Sequence, residues 1–161
     1  MKLAIMLLSA AFVLTTAPTQ AQGRYGYSTD GSEVTDSQTG LVWRRCSEGM
    51  AWSGGFCTGV ATTYSHEAAL IHAKTQTGWR LPNVKELSSI VDTSRLNPAI
   101  DPAAFPATAL GWYWSSSPMV GDSHYAWVVG FDYGKVFGGN RSGRINRGGF
   151  TDYYVALRLV R

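Results

Sequence analysis

Apolar positions along this chain change their spacing from one segment to the next, and each spacing predicts an element. Leu3 to Leu14 is a nearly unbroken apolar run behind Lys2, and the small-x-small triplet Thr19-Gln20-Ala21 follows it. That is the layout of an export peptide over residues 1–21, too short to cross a bilayer comfortably. It predicts a mature chain from Gln22 to Arg161, and the lack of a Cys after the cleavage point argues against a lipid anchor. Over residues 22–35 the period is two: Tyr25 and Tyr27 alternate with small residues, Asp30-Gly31 marks a turn, and Glu33-Val34-Thr35 returns as a hairpin. A polar turn from Asp36 to Gly40 leads into a strand at Leu41-Val42-Trp43.

The period then lengthens. Ser65 opens a helix running to about Gln76, with Glu67 suited to its first turn, Lys74 to its last, and an Ala-rich middle. Gly78-Trp79-Arg80-Leu81-Pro82 is a stop: Gly78 can turn left-handed, and Pro82 pushes Leu81 into an extended conformation. Asn83 followed by Glu86 has the pattern of a capping box for a second helix over 84–91, whose buried stripe is Leu87, Ile90 and Val91. Arg80 and Glu86 are expected to make buried polar contacts that support this turn.

Past Asp92 the punctuation Asn97-Pro98, Asp101-Pro102 and Phe105-Pro106 predicts a long connection pinned by Ile100 and Phe105. Short strands are expected at Trp112-Tyr113-Trp114, over Tyr125 to Phe131, and at Lys135-Val136-Phe137. Five glycines between Gly138 and Gly149 are read as excluding regular structure there, and the alternation from Val155 to Val160 predicts a closing strand. Trp43, Trp79, Trp114 and Trp127 are expected in the core. Of Trp112 and Tyr113 one is expected to be exposed, and Trp52 is the tryptophan most readily placed on a surface.

Composition narrows the class. All six Trp and all eighteen Gly lie beyond the export peptide, which fits a loop-rich domain filled by a few large side chains. The formal charge is +3, one less without Lys2, which points to neither nucleic acid nor a membrane surface as partner. Cys46 and Cys57 are the only cysteines, and in an exported chain they are expected to form a disulfide, contributing about 3 kcal/mol. The layout is one α+β domain over residues 36–161 behind the hairpin segment.

Four blocks carry a family resemblance: Thr39-Gly40-Leu41-Val42-Trp43, Gly78-Trp79-Arg80-Leu81-Pro82 through Glu86-Leu87, Tyr113-Trp114-Ser115-Ser116, and Ala126-Trp127-Val128-Val129 with Phe131 and Gly134. In this order they resemble the Lcl C-terminal domain family, named for the end domain of a bacterial collagen-like adhesin. Cys46 and Cys57 sit where part of that family has a Cys pair, and His66 stands where it has an aromatic. Arg80-Leu81-Pro82 and Arg147-Gly148-Gly149-Phe150 are more distantly similar to blocks of the formylglycine-generating enzymes and sulfatase-modifying factors. Both resemblances imply a single C-type-lectin-like domain with two helices, small antiparallel sheets and a loop-rich second half. The first implies adhesion-type binding, with sulfated glycosaminoglycan-like polymers as one ligand class.

The side chains available for chemistry are few. Formylglycine-type chemistry needs a late cysteine pair, and both cysteines here lie early. His66, His72 and His124 are scattered, and Asp101, Asp122, Asp132 and Asp152 each stand alone, so the sequence predicts no enzyme, no metal and no cofactor. Arg141, Arg144 and Arg147 form a flexible basic loop whose guanidinium forks match carboxylate or sulfate oxygens, flanked by Tyr133, Phe137, Tyr153 and Tyr154. Two readings stand side by side: an anionic-polysaccharide surface of Arg141, Arg144, Arg147, Tyr133 and Tyr153, or a solvated loop with some Arg paired to Asp132 or Asp152. The alternative function is docking to an envelope or surface protein through the Trp52 loop. The expected location is periplasmic or extracellular.

Overall fold

The computed structural model describes residues 23–144 and 155–161. The export-peptide reading lies outside them. Strands β1 (Tyr25–Tyr27), β2 (Glu33–Asp36) and β3 (Val42–Arg44) form an antiparallel sheet in that order, so the first hairpin continues into the strand that follows it. Its turn is tied by Asp30, whose carboxylate accepts from the hydroxyls of Ser28 and Ser32, both at 2.7 Å. The far end is held by Arg24, which grips buried Asp36 with two bonds of 2.9 and 2.7 Å.

The glycine-rich stretch closed by Cys46–Cys57 is more ordered than a loop. The disulfide is present, and inside it β4 (Ala51–Ser53) pairs with β5 (Phe56–Thr58). Gly54 and Gly55, with φ of +55° and +108°, make the two-residue turn between them. A Gly-Gly pair between short strands is itself a hairpin signal, hidden here by the small residues around it.

Helix α1 (His66–Thr75) starts where Ser65 accepts a bond from the Ala68 amide. Helix α2 (Val84–Ser89) starts on a complete capping box: Asn83 accepts from the Glu86 amide at 2.9 Å, and Glu86 accepts from the Asn83 amide at 2.8 Å. It ends two residues before the predicted Val91. The Glu86 carboxylate also takes both terminal nitrogens of Arg80 at 2.7 Å. This pair is not buried as expected, for the Arg80 side chain is 49% exposed. Its part is to orient the capping carboxylate.

A second antiparallel sheet runs β6 (Trp112–Pro118), β7 (Tyr125–Gly130), β8 (Lys135–Asn140). β8 continues through Gly138 and Gly139, where the glycine content predicts no strand. Both positions need it: a Cβ at Gly138 would lie 2.4 Å from the Met119 methyl, and one at Gly139 would lie 2.8 Å from Val128 and 3.0 Å from Trp114. Here glycine marks close approach of large side chains rather than a break. The expectation of an exposed Trp112 or Tyr113 also fails. Trp112 is buried edge-on against Phe137 at 4.6 Å, and Tyr113 against Phe131 at 5.0 Å. Trp43 and Trp114 fill the core as predicted, whereas Trp79 and Trp127 are only half-buried.

The last residues differ most from a regular strand. Val155 to Val160 are all buried and pair piecemeal: Val155 with Tyr64, Ala156 with Tyr113, and Val160 with both Trp43 and Arg80. The segment threads between β3, β6 and the Arg80 turn, so its alternation serves two apolar clusters instead of one core face and one wet face. Leu157 and Leu159 pack with Trp114 and Val128, while Ala156 and Val160 pack with Trp43, Leu87 and Phe105. Arg158 sits fully buried among them. The result is a mixed α+β arrangement, and among the described residues no helix is long and apolar enough to cross a membrane.

Candidate functional site

The β7–β8 pairing places the basic loop. Tyr125 lies opposite Asn140, and the next residue, Arg141, donates its amide to the His124 carbonyl at 2.9 Å. The Arg141 carbonyl in turn accepts the His66 amide at 2.9 Å, which seats the loop on the first turn of α1. Gly143, at φ +85°, makes the turn that follows, and a Cβ there would lie 2.9 Å from the Tyr64 carbonyl oxygen. Close backbone approach therefore fixes where Arg141 stands.

Between this loop and α1 lies a groove of about 550 Å³ lined by Ser65, His66, Glu67, Leu70, Arg141 and Ser142. The Arg141 Nε is buried and has no hydrogen-bond partner among the described residues. His66 forms the floor. Its Nε2 lies 3.1 Å from the Ser115 carbonyl oxygen, and its ring packs edge-on against Trp114 at 5.0 Å. Burial pushes the His66 pKa below its ordinary value; the Ser115 carbonyl opposes this and the Arg141 charge adds to it. The buried position thus favours the uncharged imidazole.

The predicted site residues are only partly brought together. Arg141 lines the groove, and Arg144 follows on the exposed side of the same turn. Tyr133 lies before β8 and Arg141 after it, so the strand's six residues, about 20 Å, separate them. Arg147, Tyr153 and Tyr154 lie outside the described residues. Trp52, the aromatic expected at a surface, is half-buried there: its indole N–H donates to the Asp30 carbonyl at 2.8 Å, and the Arg45 guanidinium lies 4.2 Å from its ring. Phe56, at 71% exposure, is the aromatic at the tip of the disulfide-closed hairpin.

Ser65 and His66 were not foreseen as groove residues. The helix start was legible, but nothing local announces that the Arg141 turn packs on it. Among the described residues no group of three or more His, Cys, Asp or Glu could hold a metal ion, and Cys46 and Cys57 are bonded to one another.

Neither a curated protein nor a solved structure matches this chain. One family model does, over residues 32–160, which takes in the described structure from the start of β2 to the penultimate residue. The chain belongs to the Lcl C-terminal domain family.

Proposed function

We propose that this is an exported, non-enzymatic binding domain of the adhesion type, with a C-type-lectin-like arrangement, that holds anionic or sulfated polysaccharide in the Arg141 groove. The observation that carries the reading is Arg141 itself, which lines a groove at a helix start and whose buried Nε is unpartnered among the described residues. A guanidinium offers a planar fork to a sulfate or carboxylate. The first turn of α1 adds the positive end of the helix dipole, and Arg144 extends the basic edge outward. Family membership favours adhesion over catalysis, and the disulfide favours an oxidising compartment, periplasmic or extracellular.

The test is binding of the oxidised protein to heparin-like polymers at low and high salt, beside a variant with Arg141, Arg144 and Arg147 changed to Ala. Salt-sensitive binding that the variant loses is the expected result. A folded protein that binds no anionic polymer would overturn the proposal. One observation favours a second reading, docking to an envelope or surface protein: Phe56 and Val60, 71% and 83% exposed, project from and beside the disulfide-closed hairpin. Such docking is apolar and should persist at high salt.

A further inference from the structure

The other end of α1 carries a different concavity. Beyond Gly78 the chain places Trp79 beside two guanidinium groups, with Arg44 4.9 Å and Arg161 4.8 Å from its ring. A cleft of about 290 Å³ opens there, lined among others by Glu33, Arg44, Ser47, Glu48, Trp52 and Trp79. Its polar groups are already oriented. The Arg44 Nη1 donates to Glu48 at 2.9 Å, and its Nη2 to Gln76 at 3.1 Å. The other Glu48 oxygen lies 2.7 Å from the His72 Nε2, and Glu33 accepts from Arg161 at 2.5 Å. Trp52 is held by its bond to the Asp30 carbonyl and by Arg45 over its ring.

This lining selects by what it rejects. A polyanion would meet Glu33 and Glu48. A cation would meet Arg44. A wholly apolar ligand would strip water from these charges and return no hydrogen bond. An uncharged ring edged with hydroxyls and faced with C–H groups meets none of these penalties. Each carboxylate oxygen in a single ion pair keeps a lone pair for a hydroxyl, and each lining indole, already stacked by a guanidinium, turns its remaining surface to C–H groups. The volume lies at the small end of ligand sites, which suits one ring rather than a chain.

We infer that the cleft between Trp52 and Trp79 is a second binding site, taking a single uncharged sugar unit. It goes beyond the anion-binding reading and does not depend on it. No residue lines both this cleft and the Arg141 groove.

The experiment is a titration of the full exported and oxidised protein with glucose, galactose, mannose and N-acetylglucosamine, following the indole N–H resonances of Trp52 and Trp79. At least one sugar should shift both in a saturable way, with a Kd on the order of 1–10 mM. A heparin fragment should leave them in place. Trp52→Ala should weaken that sugar at least about ten-fold, the equivalent of roughly 1.4 kcal/mol. Because Trp52 also supports the Asp30 turn, Glu33→Ala provides a second variant. Its rim ion pair contributes little to folding, and it should weaken binding several-fold with core resonances unmoved. The inference falls if no sugar at about 100 mM, ten-fold or more above that Kd range, moves either indole. It also falls if the shifts persist unchanged in a folded Glu33→Ala protein.

Discussion

Arg158 and Arg141 are the same side chain in opposite circumstances. Arg158 is fully buried, with no carboxylate bonded to it. Its Nη1 donates to the Arg44 and Arg45 carbonyls, and its Nη2 donates to the Thr108 hydroxyl at 2.9 Å and, more weakly, to Ser47 at 3.4 Å. The Phe105 ring lies 4.8 Å from its guanidinium carbon. Burial pulls its pKa down, while Tyr113 and Glu48 oppose the shift. Both leave a buried Nε unpartnered among the described residues, but Arg141 lies at the edge of an open groove. A guanidinium whose terminal donors end on the protein's own carbonyls and hydroxyls serves the fold. One whose fork opens onto a groove is available to a ligand.

The most direct way to break this comparison is to truncate both. Arg158→Ala leaves a cavity and several unpaired acceptors, and should cost about 3–5 kcal/mol. Arg141→Ala should stay within about 0.5 kcal/mol. Urea midpoints at constant slope measure both. Equal losses would mean that Arg141 is as structural as Arg158.

A second test sharpens the fixed side of the contrast. Cys46 directly follows Arg45, whose carbonyl is one of the acceptors for Arg158. Changing Cys46 and Cys57 to Ser together should cost about 3 kcal/mol. Added to Arg158→Ala, it should cost less than the sum, because both changes loosen the same segment. Strict additivity would show that the disulfide and Arg158 act independently.

The same contrast shows what was legible beforehand. Local grammar wrote the helices: Ser65, Asn83 and Glu86 cap where their types and spacing say they should. Register and close approach did not show. Gly138 and Gly139 looked like a break because Met119, Val128 and Trp114, which need their missing side chains, lie elsewhere in the chain. The burial of Arg158 did not show either, since alternation from Val155 to Val160 reports two faces and cannot say that both are dry. Tyr133 looked adjacent to the basic loop because sequence distance is short, yet a strand of six residues carries the chain away. At the candidate site the residue types were readable, but the wall supplied by α1 was a long-range fact.

Smaller in effect is the pH response of the groove floor. The folded His66 binds its proton less readily than the unfolded chain, whose ordinary value is 6.5. Stability present above about pH 6.5 should therefore fall as pH drops through that value, by up to about 1.4 kcal/mol per unit until the folded ring takes its proton. His66→Phe should flatten this part of the profile. Arg141→Ala should reduce it slightly, since the Arg141 charge contributes to the shift while burial remains the main cause. Thermal unfolding at pH 5 and pH 7.5 measures the difference. A profile unchanged in His66→Phe would remove His66 as its origin.

The finest test uses the one acidic residue of the groove. Glu67 lies on the rim opposite Arg141, exposed, in the first turn of α1. There it complements the helix dipole, a stabilisation of a few tenths of a kcal/mol, but it repels any polyanion entering the groove. Glu67→Gln should therefore lower stability slightly and strengthen heparin-like binding about two- to five-fold at low salt, the range of exposed charge pairs. The gain should vanish at high salt, where the interaction is screened. A solvated loop with no ligand would show the stability change alone, so a binding gain that tracks ionic strength separates the two readings of the Arg141 groove.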